Sequence, residues 1–144
     1  INRRKEKTVK KYLLVLFMIS LAVSACAAES GGASASLTGD WKLVSYGPAA
    51  AQTPAVEDAG ANLTFNEDGT VAGNSGCNGF GGAYTAEGNQ ITFKDIVSTL
   101  VACDEPRMAQ ERAVQRVLTD TADYKIDGST LTLTNGDMTL VLTK

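Results

Sequence analysis

From residue 41 onward, apolar and polar side chains alternate in short runs, the pattern of strands with one face buried. Trp41-Lys42-Leu43-Val44-Ser45-Tyr46 is the first such run, and strand-like stretches follow at 61–66, 70–73, 82–85 and 90–94. The C-terminal part carries three more, Tyr124-Lys125-Ile126, Leu131-Thr132-Leu133 and Met138 to Leu142. The punctuation between runs is specific: Asp68-Gly69, Glu87-Gly88-Asn89, Asp127-Gly128 and Asn135-Gly136-Asp137 are turn sequences that join adjacent antiparallel strands. Neighbouring strands should therefore pair in chain order, the last three as a meander. Residues 47–61 are rich in Ala and Pro with little pattern and read as a loop.

One segment breaks the two-residue rhythm. Asp104-Glu105-Pro106-Arg107 opens a stretch without Gly or further Pro. Asp104 suits a helix N-cap, Glu105 the positive end of the helix dipole, and Pro106 the first turn. Ala109, Ala113, Val114, Val117 and Leu118 then share one face, while Arg107, Glu111, Arg112, Gln115 and Arg116 read as the solvated side. The prediction is an α+β domain: a mainly antiparallel, curved β-sheet of about seven or eight short strands with one α-helix at about 105–119, which crosses one face or plugs one end.

Ahead of this domain, a basic stretch (Arg3, Arg4, Lys5, Lys7, Lys10, Lys11) leads into an apolar run from Tyr12 to Ala25 that stops at Cys26. The run is 14 residues long, short of the roughly 20 a bilayer-spanning helix needs, and small residues crowd its end in Val23-Ser24-Ala25-Cys26. This tetrad resembles a bacterial lipobox. The resemblance implies that residues 1–25 are a lipoprotein signal peptide, with cleavage before Cys26, lipidation of its sulfur and usually acylation of the new amino terminus. An ordinary secretory signal cut nearby, leaving a free thiol, is the alternative. Residues 27–36, AAESGGASAS, are too small and polar to order themselves. Residues 26–36 thus form a lipidated, flexible tether, and the domain occupies 37–144.

Charge changes the picture once the export segment is set aside. The remaining 119 residues hold 7 basic and 15 acidic side chains. Such a surface opposes nucleic acid, whose affinity comes mainly from Lys and Arg neutralising phosphates, and offers no polybasic patch for anionic lipid. Membrane attachment is then left to Cys26. Two other cysteines remain, Cys77 and Cys103, an even number in an oxidising compartment, and they are expected to pair. Two separate buried thiols are the alternative.

The chain has no histidine, which removes Ser-His-Asp and Cys-His catalysis, His-based zinc sites and the commonest general base. The glycine-rich run Gly73 to Gly82 lacks the Lys-Ser/Thr of a phosphate loop. A structural reading fits it better: a tight corner that turns Cys77 inward and leaves Asn78 to bond local backbone. Asn66-Glu67-Asp68-Gly69 has the look of a calcium loop, but Ser75 stands where the bidentate acid is needed. The acidic pairs Glu57-Asp58, Glu67-Asp68 and Asp104-Glu105 fall in loops or at a cap, where solvated acids are ordinary. No catalytic residue, metal or cofactor is expected. Most aromatic side chains alternate within strands and read as core; Phe80, flanked by glycines, is the exception.

Three islands resemble the META domain, the HslJ-like family of heat-shock lipoproteins: Gly39 to Leu43, Val71 to Tyr84 with Gly76-Cys77-Asn78 at its centre, and Ser98 to Cys103. The resemblance spans about residues 37–144. It implies a compact α+β domain in envelope proteins tied to stress tolerance and, for some members, drug resistance; it brings no ligand, reaction or catalytic residue. The expectation is a non-enzymatic, lipid-anchored envelope protein that binds a protein or a small hydrophobic ligand, or alternatively an assembly factor docking onto a larger envelope complex, with an enzyme as the minority alternative. Asn78, Phe80 and Tyr84 form the candidate interaction surface. Ala27, where an inner-membrane retention signal has Asp, places the protein at the periplasmic face of the outer membrane if the cell has two membranes, and otherwise on the outer face of the cell membrane.

Overall fold

A computed structural model describes residues 36–144. The expected export segment, Cys26 and the expected tether up to residue 35 lie outside the described residues. The described residues form nine strands and one helix: β1 Gly39–Gly47, β2 Thr53–Pro54, β3 Asn62–Phe65, β4 Thr70–Asn74, β5 Gly79–Glu87, β6 Gln90–Ser98, α1 Glu105–Val117, β7 Thr121–Asp127, β8 Thr130–Asn135 and β9 Met138–Thr143. From β3 to β9 each strand pairs antiparallel with the next in the chain, as the short turns require.

The sheet is not the open curved sheet that the pattern predicts. β1 pairs with β3 on one edge and with β9 on the other, Leu43 opposite Leu142 and Tyr46 opposite Leu140, so β1 and β3 to β9 close into an eight-stranded antiparallel barrel. Closure joins the first strand to the last, a pairing that no local turn announces. The two-residue β2 is a further departure: it lies in the segment read as a loop and adds to the edge of β1 at Ser45 and Tyr46.

Two bulges help the sheet bend round. Between Leu43 and Ser45 the β1–β9 register slips past Val44, whose side chain points out. Between Gly81 and Ala83 two residues of β6 face one of β5, and Asp95 there takes a φ of 53°. A Cβ on Gly82 would sit 2.8 Å from the Lys94 carbonyl oxygen, so only glycine fits opposite the bulge.

The barrel interior is filled. Trp41, Leu63, Phe65, Ile91, Leu131 and Leu140 are completely or almost completely buried, and the indole Nε1 of Trp41 donates to the Leu37 carbonyl at 2.7 Å. Helix α1 starts as its residues predict, with Asp104 accepting from the Arg107 N–H and Pro106 in the first turn. Its Ala113, Val114 and Val117 join the same core, packed against β9, β1 and β8.

β6 and β7 pair only over Gln90 to Thr92. Beyond that point β6 continues to Ser98 paired with β5 on its other edge only, and the chain returns through the helix. The barrel wall therefore has a seam beside the helix.

Candidate functional site

The seam is organised by the turn between β4 and β5. Gly76, at φ 98°, lets the chain reverse there. Ser75 N–H and its hydroxyl both donate to the Asn78 carbonyl, at 2.9 and 3.0 Å, and the Asn78 N–H donates to the Ser75 hydroxyl at 3.1 Å. From α1, Gln110 donates to the Ser75 carbonyl at 2.7 Å and accepts from the Val56 N–H at 2.7 Å. A buried amide thus ties the helix to two loops.

Asn78 lies inside, 3% exposed, and its side chain bonds far beyond the local backbone. Oδ1 accepts from the Val101 N–H at 2.8 Å and the Thr99 hydroxyl at 2.7 Å. Nδ2 donates to the Val101 carbonyl at 2.9 Å and to Glu111 Oε2 at 3.2 Å. The Val101 N–H fixes which end of the amide is oxygen, so Glu111 necessarily receives the NH₂ group. The Cys77–Cys103 disulfide closes the same segment from its other end.

The segment held this way presents apolar side chains to solvent. Val97 is 71% exposed, Leu100 92% and Val101 60%. Behind Leu100, between β6 and α1, lies a cavity of about 400 Å³. Phe80, Phe93, Ile96 and Leu118 give it apolar walls, and Asp95 and Glu111 also line it.

Of the three residues expected to form an interaction surface, the structure brings only Phe80 to this cavity's wall as an apolar group. It is half-buried against the core, its ring over Gly73, rather than a free anchor. Asn78 supports the cavity from within. Tyr84 stands elsewhere: its ring meets Phe65 edge-on at 5.1 Å and its hydroxyl donates to the Asn66 carbonyl at 2.9 Å. Burial first, then the nearby Asp68 charge, push the Tyr84 phenol above its ordinary value of 10.0. Asp68 itself caps a turn, accepting from the Thr70 hydroxyl and N–H at 2.6 and 2.9 Å, consistent with a hairpin and not an ion-binding loop. No group of three or more potential metal ligands occurs among the described residues.

Glu111 corrects the helix reading. It belongs to the solvated side by sequence, yet it is only 4% exposed. Its neighbour Gln110 sits three, four and seven residues before Ala113, Val114 and Val117, and that polar side chain in the apolar stripe is the signal that the helix buries polar groups on this side.

The family model of the META domain matches residues 35–144. The chain belongs to the META domain family. No curated protein sequence matches it. Among solved structures, this META domain is similar to a protein solved by NMR, at TM-score 0.59 and 18% identity over 73% of this chain and 87% of the other. A Burkholderia xenovorans protein, also solved by NMR, gives TM-score 0.59 and 24% identity over 73% and 80%. A DUF4847 family protein from Bacteroides vulgatus gives 0.51 and 16% over 74% and 92%. At such identities the likeness shows the fold alone.

Proposed function

We propose that this META domain is a non-enzymatic binding module of the bacterial cell envelope, anchored by lipid on Cys26, that takes a small, largely apolar ligand in the seam cavity. The observation that carries the reading is Leu100: a large apolar side chain 92% exposed at the lip of an apolar-walled cavity, on a segment fixed by Asn78 and the disulfide. Holding such a side chain in water makes sense where a ligand covers it. Its volume falls within the range of small-molecule sites, about 300–1,000 Å³. The lack of histidine and the locking of Cys77 and Cys103 in a disulfide support a role without catalysis.

Titration of the purified protein with Nile red, a neutral apolar fluorophore, tests this. One saturable site is expected, weakened several-fold by Leu100→Asp with an unchanged melting temperature; absence of saturable uptake would sink the reading. Anchoring is tested separately, since Cys26→Ser should move the protein from the membrane fraction to the soluble one.

A second reading, docking onto a larger envelope assembly, is favoured by Val97, which points outward from β6 away from the cavity. A photocrosslinker at position 97 that captured one dominant protein in intact cells would establish it.

A further inference from the structure

Glu111 is the least expected group in the cavity wall. Its two oxygens each receive one hydrogen bond, from Asn78 Nδ2 at 3.2 Å and Gln115 Nε2 at 3.2 Å. Both donors are neutral amides, so the bonds satisfy oxygens without balancing the charge. Among the described residues no Lys or Arg forms an ion pair with Glu111: Arg107, Arg112 and Arg116 are committed to Asp104, Glu105 and Asp137. No Lys or Arg lines the cavity, whereas a second carboxylate, Asp95, does. A carboxylate with little water around it and no cation beside it offers a place for a cationic partner.

The apolar walls are an independent observation. Phe80, Phe93, Ile96 and Leu118 ask for a hydrocarbon body, and two of these four are aromatic. We infer that the seam cavity takes a small amphipathic organic cation, an amine with an apolar body, whose ammonium group bonds to Glu111 and Asp95 while its body lies against the aromatic wall. This rests on the binding-module reading above and adds the charge of the ligand to it.

The ammonium group donates to the lone pairs that Asn78 and Gln115 leave free on Glu111, two acceptor sites on a carboxylate that has about four. Asn78 gains a role here beyond support. Its amide, oriented by the Val101 N–H, holds the carboxylate toward the cavity and ties that orientation to the lip segment carrying Leu100.

The test is calorimetric titration of the purified full-length mature protein with 4-phenylbutylammonium, 4-phenylbutanol and 4-phenylbutyrate, one apolar body with three head-group charges. The cation should bind at least about tenfold tighter than the alcohol, as charge-assisted bonding in a partly buried site implies, and the carboxylate should not bind. Glu111→Gln should abolish the preference for amine over alcohol. That variant keeps the Asn78 bond through its amide oxygen, with the exposed Gln115 amide turning to accept from the new NH₂. Should it fail to fold, Asp95→Asn gives the same readout at an exposed position, since asparagine tolerates the φ of 53°, and it should lower the preference several-fold. Equal binding of all three probes overturns the cation assignment and leaves the apolar cavity standing. Uptake of Nile red with no uptake of any of the three overturns it likewise. Failure of Nile red as well removes both readings, and an amine preference unchanged in both variants removes the role of the carboxylates.

Discussion

Replacing Asn78 by alanine isolates the group that holds the lip, the turn and the helix together. Three of its side-chain bonds end on Thr99 and Val101, which are exposed, so water replaces the lost partner and each bond contributes about 0.5 kcal/mol, the low end for an intramolecular hydrogen bond. The bond to Glu111 is different, because its loss strips a donor from a buried carboxylate oxygen, at about 2 kcal/mol. The expected total is about 3.5 kcal/mol, a large share of the 5–15 kcal/mol typical of a domain. Urea unfolding followed by the fluorescence of Trp41, the single tryptophan and fully buried, reads this directly. Asn78→Asp sharpens the test. It preserves the acceptor for Val101 and Thr99 but sets a carboxylate against Glu111, so at neutral pH it should destabilise at least as much as alanine. A cost below about 1 kcal/mol for alanine, or an aspartate variant that is stable at neutral pH, would refute the assignment of Asn78 as the tie to Glu111.

Removing the Cys77–Cys103 link by a double serine substitution opens a loop of sequence separation 26 and should cost about 3.5 kcal/mol on the chain-entropy estimate, measured by the same unfolding curves. Two glycines should behave in opposite ways. In Gly73→Ala the new Cβ would lie 2.1 Å from the Asn62 carbonyl oxygen and 2.8 Å from the Phe80 ring, so β3 or β4 must move and folding should fail or the melting temperature collapse. In Gly88→Ala the surroundings are open and only the φ of 60° is unfavourable, a cost of about 1 kcal/mol. Finally, the Thr70 hydroxyl, and after it the Thr70 N–H, hold the Asp68 carboxyl below its ordinary value of 3.8. A group with a depressed folded value stabilises the fold above the unfolded value and loses that contribution as pH falls through the folded one. The Asp68 carboxyl carbon should thus titrate by NMR with a midpoint below 3.8, and Thr70→Val should move the midpoint upward.

Strand positions were legible because each turn carries its own chemistry: Asp127-Gly128 and Asn135-Gly136-Asp137 fix the meander without help from the rest of the chain. The helix was legible for the same reason, through Asp104 and Pro106. What no local pattern reveals is a pairing between segments about a hundred residues apart, and the union of Leu43 with Leu142 turns an open sheet into a barrel. The bulges at Val44 and Asp95 follow from that curvature and have no local signature. β2 was hidden because Pro54 and its alanine-rich surroundings resemble a loop. At the site, the Gly76-Cys77-Asn78 island stood out as sequence, but the partners of Asn78 are 21 to 33 positions away, and Glu111 reads as a surface residue until the helix is set against that turn. The exposed Leu100 had no sequence signal at all, because exposure of a leucine is decided by what the fold leaves uncovered.

Closure of β1 onto β9 also fixes an order of events. The strand that seals the wall follows all the others described in the chain, and Lys144 just after it reaches back to donate to the carbonyls of Ser36 and Thr38 and lies 4.6 Å from the Trp41 ring centroid. Until those residues emerge, β1 and β8 present bare edges, which are templates for association with other chains and openings for proteases. A product interrupted before Met138 has no β9 and cannot close the barrel. Closure therefore waits on β9: a chain interrupted before it leaves the β9-facing edge of β1 without a partner.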